Sequence, residues 1–595
     1  MDLHLLAFHG DTDLVRRQIL SGQGADSLDR YGRTPLMVAA ASPLAGIDML
    51  DALLDAGADI QAVVSDNYRS TFTRPDVNDN VGMDHWAHVQ FSTGSSVLSY
   101  AAKYGSEEKV RLLVQRGADI SFRSTHGSSV LMAATGRSDE LERDAPNRVL
   151  RFLVESGAPL DCRNCYGETA IATLSRRGNL AGVKILLDAG ADASPLEWNA
   201  LCMAAAFGTL DEVAALIDSS QETAELDRWG QTPFLIAVQS GRIEIASLLL
   251  DHGANLMAQS KLDESAAHFA IRRDDVAMLS WLLRRGIDLD LDDKFEYPTL
   301  CRAAAQKAYR CLQFLLDDPL AADHVDYYRE RAISSAESVQ ALQMLIQHDD
   351  EYSNVGRRLR RVLLGHDTLR IPDFSLAEYG PWLHRALGTC NPDRMNNPFW
   401  DLMVRTRANP SPVARAWSLP ERQRPAVWCF DRYGSTLNRL PDGRFVEIGG
   451  EHEDYYAPNF CIYNDVVVHH PDGSFDLFGY PRDIFPATDY HTANLLGDWI
   501  YIIGCLGYPI DRRYRETPVY RLNIHTFAIE QLTTSGGPGW IHRHYARSVD
   551  DRTIEVVSGL IVDGPDAHKN SAIFQLDVIT LSWSVVAMED DEPDA

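Results

Sequence analysis

The chain has 595 residues, too many for one compact core, so several structural units are expected. It carries 56 Lys and Arg against 84 Asp and Glu, a formal net charge of −28, which opposes electrostatic binding to nucleic acid or to an anionic membrane. No apolar stretch is long enough to span a bilayer, the N-terminus shows no secretion signal, and nine cysteines are too few for a disulfide framework, so a cytoplasmic protein with reduced thiols is expected.

From Asp2 onward the sequence repeats. Blocks of the form T-P-L-x-x-A stand at Thr34-Pro35-Leu36, ending at Ala39, and at Thr232-Pro233-Phe234, ending at Ala237. Weaker copies start at Asp2, Ser96, Ser129, Thr169, Asn199, Ser265, Pro298 and Arg331, and the starts at 199, 232, 265, 298 and 331 are 33 residues apart. A second marker, Gly-Ala-Asp or a variant, falls at Gly57, Gly117, Gly157, Gly190, Gly253 and Gly286. Between Thr232 and Gly253, Leu235, Ile236 and Val238 mark a first helix, Gly241 breaks it, and Ile243, Ile245, Ala246, Leu248, Leu249 and Leu250 supply the packed faces of a second.

This pattern resembles the ankyrin repeat. The resemblance implies an α-solenoid of about ten helix pairs over residues 1–350, joined by projecting hairpins, whose usual work is to bind another protein. Ala39, Ala204, Ala237, Ala270 and Ala303 recur at one position, where a small side chain lets neighbouring helices approach. The second repeat carries an insertion, 61–94, that includes Trp86 and Phe91, and the fourth carries one around Ser138 to Glu140. Candidate partner-binding residues are Trp86 and the hairpin-tip residues Arg30, Tyr31, Arg123, His126, Arg163, Tyr166, Arg228 and Trp229, because aromatic and Arg side chains dominate interface hot spots. Cys162 and Cys165 have C-x-x-C spacing at a hairpin tip, but no second C-x-x-C completes a four-ligand zinc site, and no metal or cofactor is expected.

The repeat decays near residue 350. Residues 351–393 read as a helical cap or linker, and the Pro-punctuated segment 394–424 as a lead-in to the next domain. From 425 to 588 strand signals dominate, with turns at Pro441-Asp442-Gly443 and Pro471-Asp472-Gly473, before an acidic tail, 589–595. Apolar strands ending in Gly449, Gly504 and Gly559 are spaced by 55 and 55 residues. A period near 50 with this glycine resembles the kelch repeat, the blade of a β-propeller. The resemblance implies three four-stranded antiparallel blades. Three are too few for a closed ring, so a partial propeller is expected, its edges covered by dimerisation or by 394–424. The fold class is thus multidomain α + β: an ankyrin-type α-solenoid followed by a kelch-like all-β domain.

Polar residues gather after the blade glycines and at the starts of later units: Glu451, His452 and Asp454, then Asp489 and His491, then His542 and His544. Facing one pocket, they could bind a divalent metal or serve acid–base chemistry. Alternatively, as the kelch resemblance implies, a His at this point ties strands together by buried hydrogen bonds. No H-E-x-x-H, P-loop, G-x-S-x-G or G-x-G-x-x-G signature stands in a supporting context, so no catalytic residue is assigned. The function expected is an intracellular protein–protein interaction protein with a protein partner. The alternatives are a neutraliser or regulator of a basic toxin or enzyme, and an enzyme with its site on the β-domain.

Overall fold

The structure is a computed structural model. It describes residues 3–29, 32–64, 94–136, 145–219, 225–294, 297–346, 349–366, 387–395, 403–405, 407, 429–430, 432–452 and 460–588. Trp86, Phe91, the insertion around Ser138 to Glu140 and the acidic tail lie outside them. The chain divides into two compact units, one reaching to Tyr328 and the other running on from Arg329.

The first unit is helical. Its described residues form nine successive helix pairs, from Leu3–His9 with Thr12–Leu20 to Thr299–Ala305 with Tyr309–Asp317. The repeated motif explains where each pair begins. Thr34 and Thr232 are N-caps whose hydroxyls accept from the amides of Met37 and Leu235, each 3.3 Å away, and Pro35 and Pro233 occupy the first helical position, where no amide is missed. Ser96, Ser129, Thr169 and Asn199 cap the corresponding helices in the same way. The second marker explains where each pair ends. Gly57 has φ +89°, and the amides of Gly57 and Ala58 turn back onto the carbonyls of Leu54 and Leu53. A side chain at Gly57 would meet nothing, so the left-handed backbone alone selects glycine there. Ala39, Ala237, Ala270 and Ala303 are fully buried, and Ala204 nearly so. One charged side chain is buried with purpose: Lys109 Nζ donates to the carbonyls of Ala39 (2.8 Å) and Ser42 (2.6 Å), the exposed end of the helix Pro35–Ala41 in the neighbouring pair.

Arg331 does not open a tenth regular repeat. It lies inside a longer helix, Ala322–Ser335, which has 14 residues where the repeat helices before it have 6 to 11. Among the described residues no helix is long and apolar enough to cross a membrane.

The second unit is rich in strands arranged as several separate sheets, and among the described residues no sheet closes on itself. Three antiparallel meanders of four strands follow one another. The first is Thr436–Arg439, Phe445–Ile448, Val466–His469 and Phe475–Gly479, with Asp393–Met395 added beside the last strand. The second is Thr492–Leu496, Trp499–Ile503, Val519–Asn523 and Ile529–Leu532, and the third is Tyr545–Ser548, Thr553–Val557, Ala572–Asp577 and Ser582–Met588. Alternation decides which way each side chain goes. Ile500 and Ile502 pack with Val446, Val468 and Phe478 of the first sheet, while Tyr501 and Ile503 pack with Ile554, Val556 and Leu576 of the third. The middle sheet is therefore buried on both faces, which accounts for the unbroken apolar run at 499–503.

The outer face of the first sheet is closed by a polar cluster. Glu447 lies in the strand Phe445–Ile448 but faces away from Val446 and Ile448. Its carboxylate takes two bonds from Arg407 (2.8 and 2.6 Å), with Arg360 at 3.5 Å and His469 at 3.3 Å. The adjoining Arg407 charge overcomes the burial of Glu447 and holds its carboxyl well below the usual range. Arg360 comes from the helix Arg357–Leu363, so the cluster fastens the 349–366 segment to the sheet.

Candidate functional site

Successive hairpins of the helical unit are linked through their backbones. The Cys165 amide donates to the His126 carbonyl at 2.8 Å, Lys261 to Trp229 at 2.8 Å and Lys294 to Leu262 at 3.0 Å. Between Thr169 and Thr232 the hairpin position holds only the one-turn 3-10 segment Ser194–Leu196, reached from the next hairpin by the Arg228 amide, which donates to the Leu196 carbonyl at 3.4 Å. That shortening leaves room beside the next hairpin. The Trp229 indole reaches across it, its Nε1 donating to the Ala172 carbonyl at 3.1 Å, 57 residues earlier. The Arg176 and Arg228 guanidinium groups lie 5.1 and 5.4 Å from the indole ring centre, within cation–π range.

The result is a groove of about 330 Å³. Its walls carry Arg176, Arg228, Lys261, Trp229, Gln231 and Glu264. Three of these are cations and one is a carboxylate, and that carboxylate, Glu264, is already paired with Arg272. Arg176 shares Glu168 at 3.1 Å. Lys261 Nζ donates to the Arg228 carbonyl at 2.7 Å, which draws two cationic residues to one lip. Among the described residues neither Arg228 nor Lys261 has a carboxylate within ion-pair distance. Desolvation and the Arg176 and Arg272 charges hold Arg177 below its usual value, and desolvation and Arg177 do the same to Lys103. Cationic side chains are thus gathered locally on a chain of net charge −28. Gln231 is buried, and its side-chain Oε1 has no hydrogen-bond donor. On the other side of the same hairpins a second concavity of about 340 Å³ includes the exposed Leu226 and Met257.

Of the hairpin residues singled out from sequence, Arg228 and Trp229 meet in this groove. Arg123 ties two hairpins together, donating to the Arg163 carbonyl at 2.6 Å and to the Gly127 carbonyl at 3.3 Å. His126 is partly exposed, and its carbonyl is taken by Cys165. Arg163 and Tyr166 stand exposed. Arg30, Tyr31 and Trp86 lie outside the described residues. Cys162 and Cys165 are free thiols. Sequence reasoning missed Arg176 and Lys261. Lys261 stands 33 residues after Arg228, at the same hairpin position, so the period itself marked it. Nothing local marked Arg176, which reaches Trp229 only because the intervening hairpin is cut short.

In the strand-rich unit the polar residues occupy joints between sheets. Thr436 Oγ1 is hydrogen-bonded to His491 Nε2 at 3.0 Å, and Thr492 Oγ1 to His544 Nε2 at 2.9 Å. Both histidines are buried, and burial holds them at about 3, so they are neutral at physiological pH. His542 is buried on the short ribbon Trp540–His542 and held at about 4 by burial and the nearby Arg543. Asp489 is buried, accepts from the Gly507 amide at 2.7 Å, and is pushed up to about 7 by burial, with the Glu451 carboxylate adding to the effect. Glu451 accepts from the Tyr490 hydroxyl at 2.7 Å. His452 is buried on the two-stranded ribbon that Glu451–His452 forms with Cys461–Ile462, and Asp454 lies outside the described residues. Among the described residues no three His, Cys, Asp or Glu side chains come together as a metal site. The structure places His491 and His544 on neighbouring sheets at equivalent positions, each turned into its joint and not onto an open pocket.

The N-terminal region matches family models for ankyrin repeats at residues 31–64, 98–196, 176–260 and 238–283. Relatives align over the same kind of sequence. Ankyrin repeat protein nuc-2 of Neurospora crassa is 29% identical over 236 residues, 37% of this chain and 21% of that protein. B-cell lymphoma 3 protein homolog of Mus musculus is 28% identical over 188 residues, 29% of this chain and 40% of that protein, and serine/threonine-protein kinase 12 of Arabidopsis thaliana is 35% identical over 103 residues, 17% and 21% respectively. The chain thus spans well under half the length of each of these relatives. Helix caps, left-handed glycines, linked hairpins and family matches agree that the N-terminal region carries ankyrin repeats, whose role is protein–protein interaction.

Proposed function

We propose that this is an intracellular, cytoplasmic interaction protein that holds a protein partner in the groove around Trp229. The cation-rimmed groove carries the reading: it joins an aromatic surface and three positive side chains beside the projecting ankyrin hairpins. The nine cysteines, all free, fit a reducing compartment. The strand-rich unit is read as a kelch-like partial propeller of three blades that supplies a second contact or self-association. Its three meanders, and the His–Thr joint repeated between them, support that reading.

The test is affinity capture with the full chain, followed by cross-linking and mass spectrometry with a carboxylate-to-amine reagent. The expected result is a stoichiometric partner cross-linked at Lys261 or its hairpin. A partner whose cross-links fall on residues 432–588 alone would overturn the assignment to the ankyrin surface.

A further inference from the structure

The chemistry of the groove narrows the partner, and the narrowing rests on the binding role proposed above. Arg228 and Lys261 meet at one lip, and among the described residues neither forms an ion pair; the buried Asp227 carboxylate feels the Lys261 charge but is already taken by the amides of Trp229 and Gln231 and the Trp198 indole. Arg176 stands over the Trp229 ring and is paired with Glu168 at 3.1 Å. These features ask for a ligand that brings negative charge to the lip and a flat or aliphatic surface to the indole.

We propose that the groove binds an extended acidic segment of a partner protein, with an Asp or Glu side chain between Arg228 and Lys261 and the rest of the segment lying along Trp229. A basic segment is refused by the three cations. A neutral apolar segment would bury Lys261 and Arg228 without a counter-charge, which is unfavourable. The overall charge of −28 gives this selectivity a further effect: an acidic partner is repelled by the chain as a whole and attracted at the groove, so the charge pattern sets register as well as class.

The experiment is selection from a phage library of random twelve-residue peptides on the immobilised full chain. The strongest peptides are then measured by fluorescence anisotropy against the wild type and the double variant Arg228→Glu/Lys261→Glu. Both side chains are at the surface or half-buried, and the melting profile of the variant verifies that it is folded. Enrichment of Asp and Glu, a loss of about 10-fold or more in affinity in the charge-reversed variant, and weakening by added salt are expected. Two outcomes overturn the acidic class while leaving a binding role in place: peptides enriched in neutral or basic residues, or acidic peptides whose affinity the double variant does not change. Selection that enriches no peptide at all overturns the binding role of the groove together with the class.

Discussion

Replacing Thr492 by Val tests whether the joints between sheets depend on the histidines. The change keeps the shape of the side chain and removes one hydroxyl. In the wild type the Thr492 hydroxyl is the partner of His544 Nε2 at 2.9 Å, and His544 Nδ1 has none. The ring is 5% exposed, so water cannot replace the lost group. The variant therefore leaves a buried imidazole with both nitrogens open, at a cost of about 1–3 kcal/mol. Thr436→Val removes the same bond from His491 and should cost a similar amount, whereas Thr533→Val, on an exposed position, should stay within about 0.5 kcal/mol. Because the chain has two units, a global melt would mix them. Hydrogen exchange read by mass spectrometry separates them: amides of Trp499–Ile503 should exchange about 5- to 160-fold faster in Thr492→Val, while those of Pro233–Ser240 keep their wild-type rate. If neither Thr variant accelerates exchange in the strands, the His–Thr bond is incidental and the sheets are held by their apolar faces alone.

Three further outcomes follow from the same reasoning. Glu447→Gln should destabilise the strand-rich unit by about 3–5 kcal/mol, because Arg407 and Arg360 keep their charge in a buried place; a change in urea midpoint no larger than that of the exposed Asp442→Asn would contradict this. Ala237→Leu should overpack the contact between repeats and cost about 1–3 kcal/mol, and an unchanged melting temperature of the helical unit would show that the packing face is misplaced. His544, held at about 3 when folded against about 6.5 when unfolded, contributes fully above pH 6.5 and progressively less as pH falls towards 3; at pH 5 the loss is about 2 kcal/mol. Asp489, raised to about 7, works in the opposite sense, its stabilising protonation lost as pH rises through 7. The His544 effect is therefore read as a difference: the destabilisation caused by His544→Gln should shrink by about 2 kcal/mol between pH 7.5 and pH 5, and a constant difference would refute the assignment.

The helical half was legible because its signals are local. A Thr or Ser followed by Pro or an apolar residue caps a helix, and a glycine 21 residues on from Thr232 ends the second one, with no knowledge of the neighbours required. Arg331 was misread because the period was extended past the point where the chain switches to the longer helix Ala322–Ser335. The groove was half legible: Arg228 and Trp229 stood out by residue type, but Arg176 enters from two repeats away, through a gap that only the three-dimensional stack creates. In the strand-rich half the histidines were visible and their partners were missed. Thr436 and Asn438 recur as Thr492 and Asn494, a T-x-N pattern 56 residues apart, which was readable had the strand starts been aligned. The Glu447 cluster was not readable: within Phe-Val-Glu-Ile the acid looks like the solvent-facing half of an alternation, and Arg360 and Arg407 are 87 and 40 residues distant.

The same pattern recurs at both joints between the three successive meanders. Each joint is made of four repeated links. Between the first and second sheets these are Tyr490 N to Gly434 O (2.8 Å), Thr436 with His491, Asn438 Nδ2 to Ala493 O (2.7 Å), and Gly450 N to Thr488 O (2.8 Å). Between the second and third they are Arg543 N to Tyr490 O (3.0 Å), Thr492 with His544, Asn494 Nδ2 to Ala546 O (3.1 Å), and Cys505 N to Ile541 O (2.9 Å). Gly449 and Gly504 serve the same approach, since a Cβ there would fall 2.3 Å from Thr488 O and 2.4 Å from Ile541 O. The third sheet departs from the series at the Thr, Asn and Gly positions. Tyr545 and Arg547 stand where Thr and Asn would be; Tyr545 donates to Glu330 at 3.0 Å, and Arg547 is taken by Glu555 of its own sheet at 2.6 Å. Gly559 meets His542 and His544 of its own unit and no later carbonyl. At the opposite end the first sheet has Ser435 at the His position. A histidine brought to the third sheet would meet no Thr-x-Asn pair, and the first sheet has no histidine to offer, so among the described residues the His–Thr joint is made at two places, where Thr436 and Thr492 receive His491 and His544.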